Sequence, residues 1–259
     1  MVTTRTPRDP RATSEARYNL MSTQKRIVFI TGDKGGVGKS FTARALVQFY
    51  LDENIPFHAY DIDPVNPNLY QFYPEVTTAI DLQEAGALDK LRNDLEVHSL
   101  LLVDCAARSI SDLDHWFTDM SLFHQRKNLK LALTFAFVIT PDKSCTAIMR
   151  DALDRFQQEA SYFVVKNKGK GKNFSIYQDS ELRKSFLNDY HGQEIFLPPL
   201  LERTVVHLDN HDIAFGPALS DSRVSMADRS RVFGFLDQTY GQFRTLHDWL
   251  IPEEVKAAL

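Results

Sequence analysis

Short, nearly unbroken apolar runs alternate along this chain with stretches whose apolar residues recur at helical spacing. The runs cover residues 26–31 (RIVFIT), 56–60 (PFHAY), 100–104 (LLLVD), 134–140, 162–166 and 194–197. Helical spacing follows at 41–51, after 141–144 as far as about 158, and from about 226 to 250. Apolar runs without polar alternation mark strands buried on both faces, and strands that alternate with helices predict a mostly parallel sheet flanked by helices. The expectation is a single α/β domain over residues 26–259, with about seven strands and its ligand at their carboxyl ends. Residues 77–97 mix Asp81, Glu84, Asp89, Lys90 and Arg92 with apolar positions, and they predict helix and loop at the surface. The sequence has no internal repeat. Its longest apolar run, 131–139, is too short to span a bilayer, so no integral membrane association is expected.

Residues 1–25 break the pattern. Arg5, Arg8, Arg11 and Arg17 lie among Thr, Ser and Pro with almost no periodic apolar residues, which predicts a disordered basic arm. Such an arm is either a plain flexible tail or a contact for DNA or lipid phosphates. It lacks the apolar core of a secretory signal, and Met21 immediately precedes the first strand-like run.

Composition narrows the function classes only a little. Of 259 residues, 43% are hydrophobic and 25% charged, an ordinary globular balance that leaves material for a sizeable core. The formal charge of −4 predicts no global attraction to nucleic acid or anionic lipid, so any such binding must be local. Two cysteines, Cys105 and Cys145, suit a reducing cytoplasm and no disulfide framework. The histidines, among them His58, His98 and His211, have no metal-ligand spacing.

The chemistry is concentrated in residues 32–40, GDKGGVGKS, between the first strand-like run and the first helical stretch. That is the strand–loop–helix setting of a phosphate-binding loop. Gly35, Gly36 and Gly38 let successive N–H groups around Val37 turn toward a polyphosphate, at the positive end of a helix that starts near Phe41. Lys39 is then placed for the β- and γ-phosphates and Ser40 for Mg²⁺. Asp33 stands where the motif's first glycine usually falls, and Lys34 adds a second lysine. Acidic residues close two further runs: Asp61-Ile62-Asp63 and Asp104. The bland reading of the first pair is a turn in which both carboxylates cap the next helix.

With Lys34, the loop resembles the deviant Walker A motif of the ParA/MinD ATPases. Residues 61–68 (DIDPVNPN) are similar to those proteins' second motif, Leu100 to Asp104 to their Walker B strand, and FVITPDKSCTAIMRDALDRF to their Thr-Pro turn and helix. The resemblance spans roughly residues 26–250 and is closest in feel to ParA-like proteins of conjugal-transfer and mobilisation modules, the TraL and MobD type. It implies ATP and Mg²⁺ as cofactors and an ATP-dependent homodimer, with Lys34 reaching the partner's nucleotide. Asp63 would orient the attacking water, while Asp61 and Asp104 support Mg²⁺. Asn167 would meet the adenine edge, and Pro198 and Pro199 would lie in the loop closing over the base. The absence of an aspartate at position 170 favours ATP over GTP.

The resemblance further implies nonspecific DNA as a surface, an activating partner protein and a cytoplasmic setting with the nucleoid as a candidate site. Arg223, Arg229 and Arg231 are candidate DNA contacts, and the lysines at 166, 168, 170 and 172 are either solvated or part of a phosphate patch. Adjacent Glu253 and Glu254 separate this C-terminal region from the basic membrane helix of MinD. A small-molecule ATP-dependent ligase or kinase on the same fold is the alternative.

Overall fold

The computed structural model describes residues 24–257 except 64 and 143–145. Seven parallel strands form one sheet: β1 (Lys25–Thr31), β2 (His58–Asp61), β3 (Thr77–Ala79), β4 (Leu100–Asp104), β5 (Leu131–Ile139), β6 (Ser161–Asn167) and β7 (Gln193–Leu197). Their spatial order is β3-β2-β4-β1-β5-β6-β7. The connections around them carry helices α1 (Lys39–Asp52), α2 (Asn68–Phe72), α3 (Asp89–Asp94), α4 (Ile110–Asp119), α5 (Ala147–Phe156), α6 (Glu181–Asn188), α7 (Glu202–Asn210) and α8 (Met226–Arg244). One-turn helical segments lie at Leu122–Gln125, Ser175–Gln178, Phe215–Ala218, His247–Leu250 and Glu253–Lys256.

The central strands are apolar on both faces because each face feeds a separate core. Val28 and Ile30 of β1, with Ala136 and Val138 of β5, pack toward α1 and α8. Ile27 and Phe29, with Phe135 and Phe137, pack toward α4 and α5. The second core is built on aromatics. Phe135 stacks on Phe29 at 5.0 Å and on Phe156 of α5 at 4.9 Å, and Phe117 of α4 meets Phe29 edge-on at 5.8 Å. Helix α1 is covered nearly all round, with Ala43, Ala45, Leu46, Val47, Phe49 and Tyr50 fully buried. Ser225 caps α8 by accepting from the Asp228 amide at 3.1 Å and donating to its carboxylate at 2.6 Å.

Strand β1 lies between β4 and β5, and the chain winds to one side of it before β4 and to the other after. Such a switch point opens a crevice at the strands' carboxyl ends, where Thr31, Asp61, Asp104 and Asn167 all finish their strands. The expected α/β architecture holds, and the sheet is wholly parallel.

Two readings of the sequence are corrected. Residues 77–79 are a seventh strand, although 77–97 was expected to be helix and loop. The strand is a three-residue Thr-Thr-Ala segment on the sheet's edge, with no apolar run to signal it. Lys25 is the first residue of β1, paired with Leu131, and is buried where the arm had been expected to continue. The rest of that arm, and Cys145, lie outside the described residues. No helix among the described residues is long and apolar enough to cross a membrane.

At the β7 edge, one carboxylate ties strands to helices. Glu194, 12% exposed at its side chain, accepts from Lys166 at 3.0 Å, Tyr177 at 2.8 Å and both Arg183 Nε and Nη2 at 2.7 and 3.2 Å. Burial alone would raise its pKa, but hydrogen bonds from Arg183, Lys166 and Tyr177 outweigh it and hold the group below its ordinary 4.5. This contribution is therefore complete above pH 4.5 and is lost as pH falls through the lower folded value. Glu194→Gln should cost about 1–3 kcal/mol at neutral pH. Urea midpoints measured from pH 7 downward should show the gap to wild type closing below pH 4.5.

Candidate functional site

The loop between β1 and α1 is a wound cradle whose glycines are dictated by local crowding. Gly36 and Gly38 have φ of 77° and 102°, in the left-handed region. A Cβ on Gly38 would come within 2.3 Å of Asn167 Nδ2, whereas a Cβ on Gly35 or Gly36 would meet nothing within 4 Å. The first close contact is a clamp and the second an open floor. Asn167 Nδ2 donates to the Val37 carbonyl at 2.8 Å, and its Oδ1 accepts from the Gly169 amide at 3.0 Å. The buried amide at the end of β6 therefore fixes the loop that follows β1.

Around this cradle opens a cavity of about 650 Å³. Gly35, Gly36, Gly38, Lys39, Ser40, Phe41, Asp63, Asn167 and Pro198 all line it, so nine of the sequence-predicted residues are brought together. Lys34, Val37, Asp61, Asp104 and Pro199 are not in its wall. Val37 instead packs its side chain into the core and lends its carbonyl to Asn167. Pro199 backs onto Gly169, 3.8 Å from where a Cβ there would stand.

The two lysines are held differently. Lys39 is 7% exposed, and its Nζ donates to the Lys34 carbonyl at 3.3 Å across the mouth of the loop. Lys34 points to its own chain: Nζ lies 2.9 Å from Asp142 Oδ2, which also accepts from Thr140 Oγ1 at 2.6 Å.

The carboxylates divide by burial. Asp61 accepts from the amides of Asp63 at 3.1 Å, Leu69 at 2.8 Å and Tyr70 at 3.1 Å, which fastens the β2–α2 loop and caps α2. Burial raises its pKa, and those three amides pull the other way. Asp63 accepts from the Val65 and Asn66 amides, each at 3.2 Å, and reaches the cavity from a tight turn.

Asp104 is 1% exposed, and neither carboxylate oxygen has a hydrogen-bond partner. Burial, and then the neighbouring Asp61, push it up to about 8, against the pull of the Ser40 hydroxyl and the Lys39 ammonium. Two buried oxygens without a hydrogen-bond partner, beside a hydroxyl and an ammonium, fit a hydrated Mg²⁺, which Ser40 and Asp104 would hold. Among the described residues no group of three His, Cys, Asp or Glu surrounds a metal position by itself. Mg²⁺ keeps several waters and uses few protein ligands, so this arrangement suits it.

Other basic candidates are mostly engaged within the chain. Lys166 pairs with Glu194, and Lys168 lies 3.4 Å over the Phe196 ring. Lys170 lines the cavity. Arg223 forks onto Asp221, Arg229 donates to the carbonyls of Val224 and Asp221, and Arg231 pairs with Asp228.

Sequence reasoning missed Arg44, Glu202, Val205 and Asp209, which complete the wall away from the glycines. Glu202, Val205 and Asp209 recur at i, i+3 and i+7, one face of a helix, a signal that was present in the sequence. Arg44 gave none, because a lone arginine in an apolar helix reads as a solvated position.

No family model matches the chain. It is similar to Protein MobD of Acidithiobacillus ferrooxidans, with 27% identity over 203 residues, which cover 76% of this chain and 88% of MobD. The loop, the parallel sheet and this relative agree with one another. The chain resembles MobD over most of both lengths. Two solved structures also align with it. MinD of Aquifex aeolicus has TM-score 0.48 and 15% identity, covering 88% of this chain and 98% of MinD. An Archaeoglobus fulgidus nucleotide-binding protein in complex with ADP has TM-score 0.47 and 14% identity, covering 76% and 90%. Within this architecture the cradle stands or falls with Gly38. Gly38→Ala should cost about 1–3 kcal/mol through strain at a positive φ, and should displace Asn167. Thermal unfolding and calorimetric titration with tripolyphosphate should show lower stability and weakened binding together.

Proposed function

We propose that the protein is an ATP-dependent dimerising switch ATPase that positions or partitions DNA or another intracellular cargo through ATP-dependent, nonspecific DNA binding. The observation that carries this reading is the cradle itself, a glycine loop opening α1 with Lys39 and Asp63 in its cavity, Lys34 in the loop, and the carboxylates Asp61 and Asp104 at the ends of two adjacent strands. Similarity to Protein MobD supports the positioning role.

In this reading Gly35 to Lys39 wrap the polyphosphate, and Lys39 leaves the Lys34 carbonyl for the β- and γ-phosphates. Ser40 and, through water, Asp104 hold Mg²⁺, which supplies charge neutralisation and polarisation of the phosphoryl group when bound. Asp63 orients the attacking water, and Asp61 keeps the loop bearing it in place. Asn167, still clamped to Val37, has one amide N–H left for the adenine edge. Pro198 and Pro199 shape the loop over the base. Lys34 exchanges Asp142 for the partner's nucleotide, and an activating protein partner acts on that closed dimer. DNA binding then draws on surface lysines and arginines other than the three paired ones near α8, or on exchange of those pairs for phosphates.

Two measurements test this. Lys34→Ala should lower ATP turnover roughly 10³-fold, as loss of a charge supplied in trans does, while leaving ATP binding by the monomer. Unchanged turnover would remove the crossing-lysine model. Asp63→Ala should hold the ATP state, so its affinity for random-sequence duplex DNA should be high and salt-sensitive with ATP–Mg²⁺ and weak with ADP–Mg²⁺. Equal or absent binding in both states would eliminate DNA as the surface. A small-molecule dependence of turnover would then favour the ligase or kinase alternative.

A further inference from the structure

The far wall of the cavity contains a charge placed where charge is expensive. Arg44 lies four residues beyond Ser40 on α1, about 6 Å along the helix axis, and its side chain is 2% exposed. Its guanidinium sits 3.4 Å over the Phe72 ring and 4.9 Å from that of Phe215. Nη1 donates to Asp209 Oδ1 at 2.8 Å, while Nε and Nη2 are buried without hydrogen-bond partners. A buried arginine with two idle nitrogens is a poor stabiliser, since an apolar side chain of the same volume would pack there at no such cost. What the contact does accomplish is to hold one carboxylate in a fixed place.

That carboxylate belongs to the cavity wall. Asp209 is 43% exposed on α7 and lines the cavity together with Arg44, and among the described residues the hydrogen bond from Arg44 reaches its Oδ1 and leaves Oδ2 toward solvent-accessible space. The same lining includes the apolar Phe41, Leu200 and Val205, and a second carboxylate, Glu202. One cavity thus combines a phosphate cradle, apolar side chains and a carboxylate held in place by Arg44, the three kinds of surface that the phosphates, base and nucleoside donors of a nucleotide call for.

We propose that Asp209, oriented by Arg44, reads an N–H or O–H donor at the nucleoside end of the ligand, the adenine 6-amino group or a ribose hydroxyl, and so sets nucleotide specificity. The proposal rests on the nucleotide reading above. Arg44 is a positioning residue in it, and Asp209 is the group that touches the ligand. A hydrogen bond from a neutral donor to an ionised acceptor discriminates roughly 10- to 100-fold against an analogue lacking the donor.

The test is calorimetric titration of the full chain with ATP, with purine riboside triphosphate, which lacks the 6-amino group, and with 2′-deoxy-ATP. Wild type should prefer ATP over one of the two analogues roughly tenfold or more, and the analogue that loses affinity identifies the donor. Asp209→Leu alone would strand a buried charge, so the informative variant is Arg44→Met with Asp209→Leu, which removes both charges together and should fold. It should still bind all three ligands through the cradle, with the preference reduced to about one. Arg44→Met alone, with Asp209 hydrated but no longer fixed, should fall between, a change in ratio that a purely structural arginine would not produce. Equal affinity of wild type for all three ligands, or a wild-type ratio in the double variant, overturns the proposal while the nucleotide reading survives. A wild-type protein that binds none of them overturns both.

Discussion

The contact on which the site depends is between a glycine without a side chain and an asparagine without spare room. Gly38 opens α1 at φ 102°, and Asn167 Nδ2 occupies the space a Cβ would need. Through it the end of β6 grips the loop after β1, although β5 lies between the two strands in the sheet. The grip fixes Val37, the fixed loop sets where Lys39 and Ser40 emerge, and these determine what Asp104 faces. One amide thus converts the sheet's strand order into the orientation of a row of N–H groups. A wider residue at 38, or a side chain without an amide at 167, would leave the same fold with a slack cradle.

The carboxylates pose the opposite problem, of charge with too little solvent. Asp61 and Asp104 end neighbouring strands and pair in register, both almost fully buried. Asp61 is compensated by three backbone amides and can serve as a fixed strut. Asp104 has none, and burial beside Asp61 pushes it up to about 8 despite the Ser40 hydroxyl and the Lys39 ammonium. The difference between the two lies in the backbone: the β2 strand turns back over Asp61 at residues 68–70, whereas the chain after Asp104 runs on through Cys105 toward α4 without donating to it. Local stability is therefore given up at a carboxylate that Ser40 and Lys39 also approach.

The fold was legible where apolar runs were long and uninterrupted, as at β1, β4, β5 and β6, because burial on both faces leaves no polar residue to blur them. It was illegible at β3, whose Thr77, Thr78 and Ala79 join β2 through backbone pairing and one Thr78–His58 side-chain hydrogen bond, with no apolar run between them. The phosphate loop was legible because its chemistry demands glycine at set spacing. The opposite wall was not. Arg44 owes its burial to Phe72 and Phe215, which approach from 28 and 171 residues away in sequence, and no local pattern encodes such a meeting. Asp61 was legible as important, but its three amide contacts appear only once the chain has turned into α2.

Lys34 illustrates how a weak contact can matter in a switch. Its ion pair with Asp142 joins side chains 50% and 40% exposed, so water screens it and its net worth is at most about 1 kcal/mol. A pair that weak cannot hold the loop shut. It can, however, restrict a long side chain to one side of the cradle, so the ammonium is already fixed and close by when a stronger anion arrives. Because the pair is weak, the exchange of Asp142 for a phosphate costs little. A buried partner would have trapped the lysine, and the absence of any partner would have left its full rotamer entropy to be lost on binding. A half-exposed carboxylate two residues beyond the Thr140 hydroxyl that steadies it lies between these extremes, which suits a residue proposed to change partners once per cycle.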